Sequence, residues 1–413
     1  MLVIRQSLFG KYSCMKAFLK QIFLNKDRQL AVVLVLFYLS EAITKITYDL
    51  HSSFHNYSAL IKGAFCVFAI CYALDNLTLF RKKIFLFLIG LSVCFVFGQY
   101  VFNDYTFGKD FPMNFVFFVR YMFVFVILLF LSENFRKMDK KYTYSVFEKV
   151  IVFNSVLIVV GFFFDIDLFQ TYSVRFGYNG LFMAPSISTF FYALALTYYS
   201  NSYILRKEGF FPLMLVIVTC LLVGTKALML FLALTIIHLG IVKKWYKKRL
   251  FYSIIILGLV GCLVFKDRLI SRLSNTFETI VGVFNEYGFL TAVTSFRNIK
   301  LEQNFLPLIN EKWALINYLV GGTNFVKYRV EFEVFDIFLF FGIVGSFVYL
   351  FFYFKHVMIF RNLTRFGGLQ MTFLLVTALM SGTFFNNAPV VLYLWIVLGS
   401  IQNNNIKMIE NEV

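Results

Sequence analysis

Six side chains in this sequence have the type and placement to act on a charged substrate. Arg175 stands in Arg175-Phe176-Gly177-Tyr178-Asn179-Gly180, and Lys226 follows Gly224-Thr225 at the start of an apolar run. Arg297 stands in Ser295-Phe296-Arg297-Asn298, with Lys300 one turn later, and Arg120 sits near the middle of another apolar run. Glu331 and Glu333 stand in Glu331-Phe332-Glu333-Val334-Phe335-Asp336, at the entrance to a further run. Fixed guanidinium and ammonium groups on one side of a membrane suit a phosphate or pyrophosphate. Lys226 at a helix N-terminus would add the helix dipole and free N–H groups to that field. Carboxylates at the same surface have the chemistry of a general base toward an acceptor hydroxyl. Each group also has a plainer reading: cations at a membrane surface snorkel to lipid phosphate, and carboxylates favour a solvated helix start.

The elements that must position these groups follow from composition. Of 413 residues, 60% are apolar, 20% aromatic and only 15% charged. A soluble protein cannot cover that much apolar surface with so few charges. A soluble enzyme, a disordered chain and a secreted disulfide scaffold are excluded, and an all-α polytopic membrane protein is expected. A bilayer core needs roughly 20 apolar residues in a helix. On that measure about 12 spans are expected, at 29–48, 58–80, 84–100, 111–132, 145–164, 184–203, 210–224, 226–242, 250–266, 335–354, 368–385 and 388–402.

The segments between spans alternate in charge. One set holds the basic clusters, among them Arg81-Lys82-Lys83, Lys243–Arg249 and Lys355–Arg365, while the opposite short loops hold little beyond Lys109 and Arg175. By the positive-inside rule both termini are cytoplasmic. The expected organisation is a basic cytoplasmic N-terminus at 1–28, spans one to nine over 29–266, an external loop at 267–334, spans ten to twelve over 335–402 and a cytoplasmic tail at 403–413. Loops as long as 267–334 are uncommon without a job. Leu269, Ile270, Leu273, Phe277, Ile280, Val281 and Phe284 recur there at helical spacing, and Phe305, Leu306, Leu308 and Ile309 form a second apolar surface. A structured helical cap is therefore expected.

Other features carry less chemistry. The net charge of +17 lies in short clusters between spans, which orients membrane helices and does not form a nucleic-acid stripe. Cys66, Cys71, Cys94, Cys220 and Cys262 fall in apolar runs without CxxC spacing, so neither disulfides nor zinc are expected. His51 and His55 have i,i+4 spacing but no third ligand, and no metal is assigned. The first apolar run continues as a span, so no cleaved signal is expected; residues 15–26 suit an interfacial helix. Glu41 and Lys45, one turn apart within a span, can neutralise each other. Lys62 lies in the outer half of the second span. Arg120 has no such neighbour and should meet a distant carboxylate or a ligand phosphate.

Taken in order, the outward features resemble the O-antigen polymerase and O-antigen ligase superfamily of bacterial envelope glycosyltransferases. Arg175-Phe176-Gly177 is similar to the arginine motif of that family's first large periplasmic loop. Gly224-Thr225-Lys226-Ala227-Leu228 stands where the family often has a Ser-Arg helix start, with Lys226 in place of the arginine. Ser295-Phe296-Arg297-Asn298 resembles the arginine that opens the helices of the second large loop. Tyr318-Leu319-Val320-Gly321-Gly322-Thr323, then Glu331, then Phe341-Gly342-Ile343-Val344-Gly345, resembles the Gly-rich exit of that loop. The likeness covers about residues 170–350. Ligases of the family carry a histidine eleven residues before the Gly-x-x-Gly; Glu331 stands there in this chain, which favours a polymerase.

The resemblance implies a helical fold of the lipid-linked-sugar glycosyltransferase type, in a bacterial cytoplasmic membrane, with its site between the outer loops and the bilayer. It implies joining of undecaprenyl-pyrophosphate-linked oligosaccharide repeats into O-antigen, capsule or exopolysaccharide, with no cofactor. Arg175, Lys226, Arg297 and Arg120 would bind pyrophosphate, and Glu331 or Glu333 would be the base. In an extended segment both carboxylates would line one site; in a helix they would diverge by about 200°. Membrane lipid, a chain-length regulator and a flippase would be partners. The alternatives are a lipid-linked-oligosaccharide flippase, an O-antigen ligase or a non-catalytic envelope assembly protein. Flippases usually show two similar halves, and no repeat is evident in this sequence.

Overall fold

The fold is a computed structural model that describes residues 25–50, 56–131, 140–172, 175–206, 209–247, 249, 256, 260, 263–264, 266–360 and 363–412. Among them the chain is helical throughout, apart from loops and one isolated bridge between Gln170 and Tyr178. The helices are α1 (Lys26–Asp49), α2 (Tyr57–Asp75), α3 (Leu79–Phe102), α4 (Phe111–Leu131), α5 (Lys141–Phe164), α6 (Pro185–Arg206), α7 (Phe210–Val223), α8 (Lys226–Lys243), α9 (Lys266–Thr294), α10 (Arg297–Lys300), α11 (Leu315–Val320), α12 (Phe325–Tyr328), α13 (Glu333–His356), α14 (Arg365–Ser381) and α15 (Ala388–Glu412). Seven of them, α1 to α5, α8 and α13, are long and apolar enough to cross a membrane; α7 and the first part of α15 are shorter apolar helices. The chain is thus a multi-pass helical membrane protein. Every expected span except the ninth falls on one of these helices. The ninth lies largely outside the described residues, as do most of the expected interfacial helix and His51 and His55.

The centre of the bundle is set by α4 and α15. From Tyr121 to Leu131 every residue of α4 is buried, and so is every residue of α15 from Ala388 to Gln402. A helix apolar all round belongs inside other helices. Buried carboxylates and amides then fix the register. Asp27, in the first turn of α1, accepts from the N–H groups of Tyr142 and Thr143 at 2.9 Å each. One carboxylate therefore serves the N-terminal ends of both α1 and α5, where negative charge is favoured.

Residues 266–332, most of the segment 267–334 expected to be a helical loop, are largely helical. They contain α9, kinked at Gly288, then α10 and π-helical turns at Leu301–Phe305 and Leu308–Lys312, then α11 and α12. A small core gathers their Leu308, Trp313 and Val330 with Leu339 of α13. The segment is fastened to α3. Gln99 donates through Nε2 to the carbonyls of Gly322 at 2.9 Å and Thr323 at 2.8 Å, and Asn317 donates to the carbonyl of Gly98 at 3.2 Å. This works only because the two backbones touch. Gly322 has φ +95°, and a Cβ there would lie 2.0 Å from the carbonyl carbon of Gly98.

Gly322→Ala is therefore expected to strain both backbone and packing and to cost about 1–3 kcal/mol. Gly240→Ala, where a Cβ meets nothing within 4 Å, should be neutral or slightly stabilising. Thermal unfolding of the purified proteins in one detergent checks this; equal midpoints for the two variants would remove the contact as a constraint.

Candidate functional site: a cationic cleft beside an apolar cavity

The loop before α6 is held by backbone pairing. Tyr178 N–H donates to the Leu222 carbonyl at 2.9 Å, and Phe176 N–H donates to Thr276 Oγ1 at 2.8 Å. These bonds fix Arg175 between the end of α7 and α9, with its guanidinium 4.3 Å from the centre of the Tyr172 ring. Lys226 opens α8 after the left-handed Gly224. Its ammonium donates to the Ala292 carbonyl and, at 3.2 Å, to Ser295 Oγ. Ser295 and Phe296 both have positive φ, 54° and 68°. That turn brings Arg297 back over Lys226.

Glu331 completes the ring. Its carboxylate accepts from Lys300 Nζ at 2.7 Å and lies 3.7 Å from Arg297 Nε. The residue has φ +67°, and its N–H donates to Asp336 Oδ2 at 3.0 Å, while Val330 N–H donates to Oδ1 at 2.8 Å. Asp336 is wholly buried and also lies 3.7 Å from Arg329 Nε. Arg329 was not among the expected site residues. Its Nε and Nη2 are buried and have no hydrogen-bond partner, as is Arg297 Nε.

These groups meet in one cleft of about 440 Å³, lined by Arg175, Lys226, Arg297, Arg329, Glu331 and Tyr172. Four cations face one carboxylate in that lining. A second, largely apolar cavity of about 620 Å³ shares Lys226, Ser295 and Arg297 with the first and continues along Leu230, Phe284, Phe289 and Met380. A cationic cleft thus opens onto an apolar cavity.

Burial pushes the Glu331 carboxyl up, but the hydrogen bond and charge of Lys300, with the charges of Arg329 and Arg297, outweigh it and hold it below the ordinary carboxylate range. Burial pulls the Arg297 guanidinium down, with Glu331 opposing. Burial likewise raises the Tyr172 phenol against the charges of Arg175 and Arg297.

Two of the expected residues lie elsewhere. Glu333 does not line the cleft: it is wholly buried at the start of α13, where its Oε1 accepts from Phe385 N–H at 2.9 Å. The left-handed turn at Glu331 breaks the extended segment that would have put both carboxylates on one side. Arg120 is not part of the cleft lining; it lies 5.2 Å from the Phe117 ring centre and feels the charges of Arg329 and of Glu41, the distant carboxylate expected for it. The pairing of Glu41 with Lys45 is also corrected. Glu41 pairs with Lys62 and accepts from Ser58, whereas Lys45 donates to Asn179 and to the Gly180 carbonyl. Those partners come from other segments, which spacing along one helix cannot show.

Comparison with family models, curated proteins and solved structures finds no match for this chain.

The lowered Glu331 carboxyl makes the Lys300–Glu331–Arg297 cluster a source of stability above the ordinary carboxylate range. That stability should be lost as pH falls through the lowered folded value. The thermal midpoint of the wild type should exceed that of Glu331→Gln at neutral pH, and the gap should close below about pH 4. A gap unchanged down to pH 3 would mean the carboxylate charge is not what the cluster uses.

Proposed function

We propose that this protein is a polysaccharide polymerase that joins undecaprenyl-pyrophosphate-linked repeat units on the outer face of a bacterial cytoplasmic membrane, with about 12 spans and the glycosyltransferase fold its resemblance implies. One observation carries this reading. Arg175, Lys226, Arg297 and Arg329, far apart in sequence, converge with Glu331 at the mouth of an apolar cavity. Pyrophosphate on a polyprenyl chain has the matching shape: a polyanionic head on an apolar tail.

In the proposed reaction the bond between the anomeric carbon of the growing chain and a pyrophosphate oxygen breaks, and its electron pair leaves with the pyrophosphate. An acceptor hydroxyl of the incoming unit bonds to that carbon, and its proton passes to Glu331. The four cations hold the leaving group and stabilise the charge it gains. A carboxylate held below its ordinary range is a weak base on its own. A bound pyrophosphate, however, competes with Glu331 for Arg297 and Arg329. Its arrival raises the basicity of Glu331 when the acceptor must lose a proton. Glu333, sealed behind the turn, is a structural carboxylate in this scheme.

A strain lacking the protein should display single repeats on its surface. Cytoplasmic accumulation of repeats would instead indicate a flippase and sink the reading. Within the site, Arg297→Lys should lose long-chain product nearly as completely as Arg297→Ala, because lysine keeps the charge and loses the bidentate fork. Glu331→Gln should give inserted protein without polymer, whereas Glu333→Gln should lower the amount of protein. Full polymer from Arg297→Lys at equal protein level would remove Arg297 from the site.

A further inference from the structure

One large cavity lies apart from the cleft and shares no lining residue with it. It is a groove of about 880 Å³ between α3 and α13, within the size range of about 300–1,000 Å³ typical of ligand sites. Phe87 and Phe352, stacked with ring centres 4.1 Å apart, line its interior. A Cβ at Gly90 would meet nothing within 4 Å, so this stretch of α3 is open to the groove.

The charges in the groove are confined to one end. Lys83 lies in the second turn of α3 and Lys355 in the last turn of α13, and the two helices run antiparallel, so both ammonium groups mark the same end. His356 adjoins them, its ring 5.5 Å from Phe80 and 5.4 Å from Phe352. No carboxylate lines the groove among the described residues. From those lysines the lining continues along α3 to Cys94 and along α13 back to Val344, with Leu79 and Phe80 lying beyond Lys83. Eleven residues at 1.5 Å each make about 16 Å, or half of a bilayer core of about 30 Å. The stretch of groove from its lysines to Cys94 is therefore about as long as one leaflet, apolar along its length and cationic where that leaflet meets water. Since α13 begins beside the cleft and ends one residue past Lys355, this is the leaflet opposite the cleft.

We propose that the groove holds one anionic glycerophospholipid of that leaflet, with an acyl chain along Gly90 and the phosphate headgroup between Lys83 and Lys355. Its site is separate from the cleft and independent of the reaction proposed there.

The test uses the full-length protein in phosphatidylcholine nanodiscs with a phosphatidylglycerol that carries a diazirine in its acyl chain. Photolysis should place adducts on peptides spanning 79–94 and 344–356. Unlabelled phosphatidylglycerol should compete them away about tenfold better than phosphatidylcholine of the same chains. The double variant Lys83→Ala, Lys355→Ala should melt as the wild type does in phosphatidylcholine and lose that preference. Gly90→Leu should fill the groove and lose the adducts. Equal competition by the two lipids in the wild type, or a preference that survives the double substitution, would overturn the proposal. So would cross-links between groove residues of two chains, which would assign the groove to a second copy.

Discussion

The buried carboxylate of Asp336 is the point on which the cleft depends. A carboxylate taken out of water is costly unless its oxygens are satisfied. Here the backbone N–H groups of Val330 and Glu331 satisfy them, with Arg329 beside. Those contacts hold Glu331 in a left-handed conformation that a residue with a side chain adopts reluctantly. The turn has two consequences. It sends Glu331 toward Lys300 and Arg297, and it lets α13 begin two residues later with Glu333 facing inward. Gly382 closes against it: a Cβ there would sit 2.5 Å from the Glu331 carbonyl oxygen. Removing one partner of a buried charge costs about 3–5 kcal/mol, because the other charge is left uncompensated. The turn and its carboxylate therefore stand or fall together.

The cleft also joins parts of the chain that have nothing in common locally. Arg175 comes from a loop, Lys226 from a helix start, Arg297 from a tight turn and Arg329 from the end of a short helix. Each is fixed by a different backbone device. The pairing of Tyr178 with Leu222 serves the first, and the positive-φ pair Ser295–Phe296 serves the third. Mutual repulsion of four cations is tolerable only because Glu331 and Asp336 sit among them. Arg297 donates through Nη1 to the Met380 carbonyl, while Arg297 Nε and Arg329 Nε and Nη2 are buried without a hydrogen bond. Groups held apart from their partners in a low-dielectric setting are poised to meet an anion.

What could be read from the sequence divides along physical lines. The spans were legible because a bilayer imposes a length and a composition, and α1 to α5 fall where hydropathy puts them. The helical character of residues 266–332 was legible from apolar periodicity. The convergence of Arg175, Lys226 and Arg297 was legible only as a shared side of the membrane, since no rule of spacing brings a loop, a helix start and a turn together. Arg329 gave no signal to separate it from Lys327; its role comes from Asp336, seven residues on. The two glutamates show the limit most clearly. A single positive φ at Glu331 decides which of them faces the cleft, and nothing in Glu331-Phe332-Glu333 announces it.

Helix dipoles do not account for the field in the cleft. α6, α8 and α13 begin there, whereas α7, α9 and α14 end there, through Pro185, Lys226, Glu331, Gly224, Ser295 and Ser381 in or beside the lining. Each end carries roughly half an elementary charge, positive at the start and negative at the finish, so three of each nearly cancel. The side chains must supply the attraction, and this chain supplies it with three guanidiniums and one ammonium. Guanidinium is the more weakly hydrated of the two and loses less on entering a partly buried site. It also stays charged where burial pulls its proton affinity down, as at Arg297. A site made from opposed helix ends thus requires arginines in its lining, and their positions, more than the helices that frame them, determine where an anion can rest.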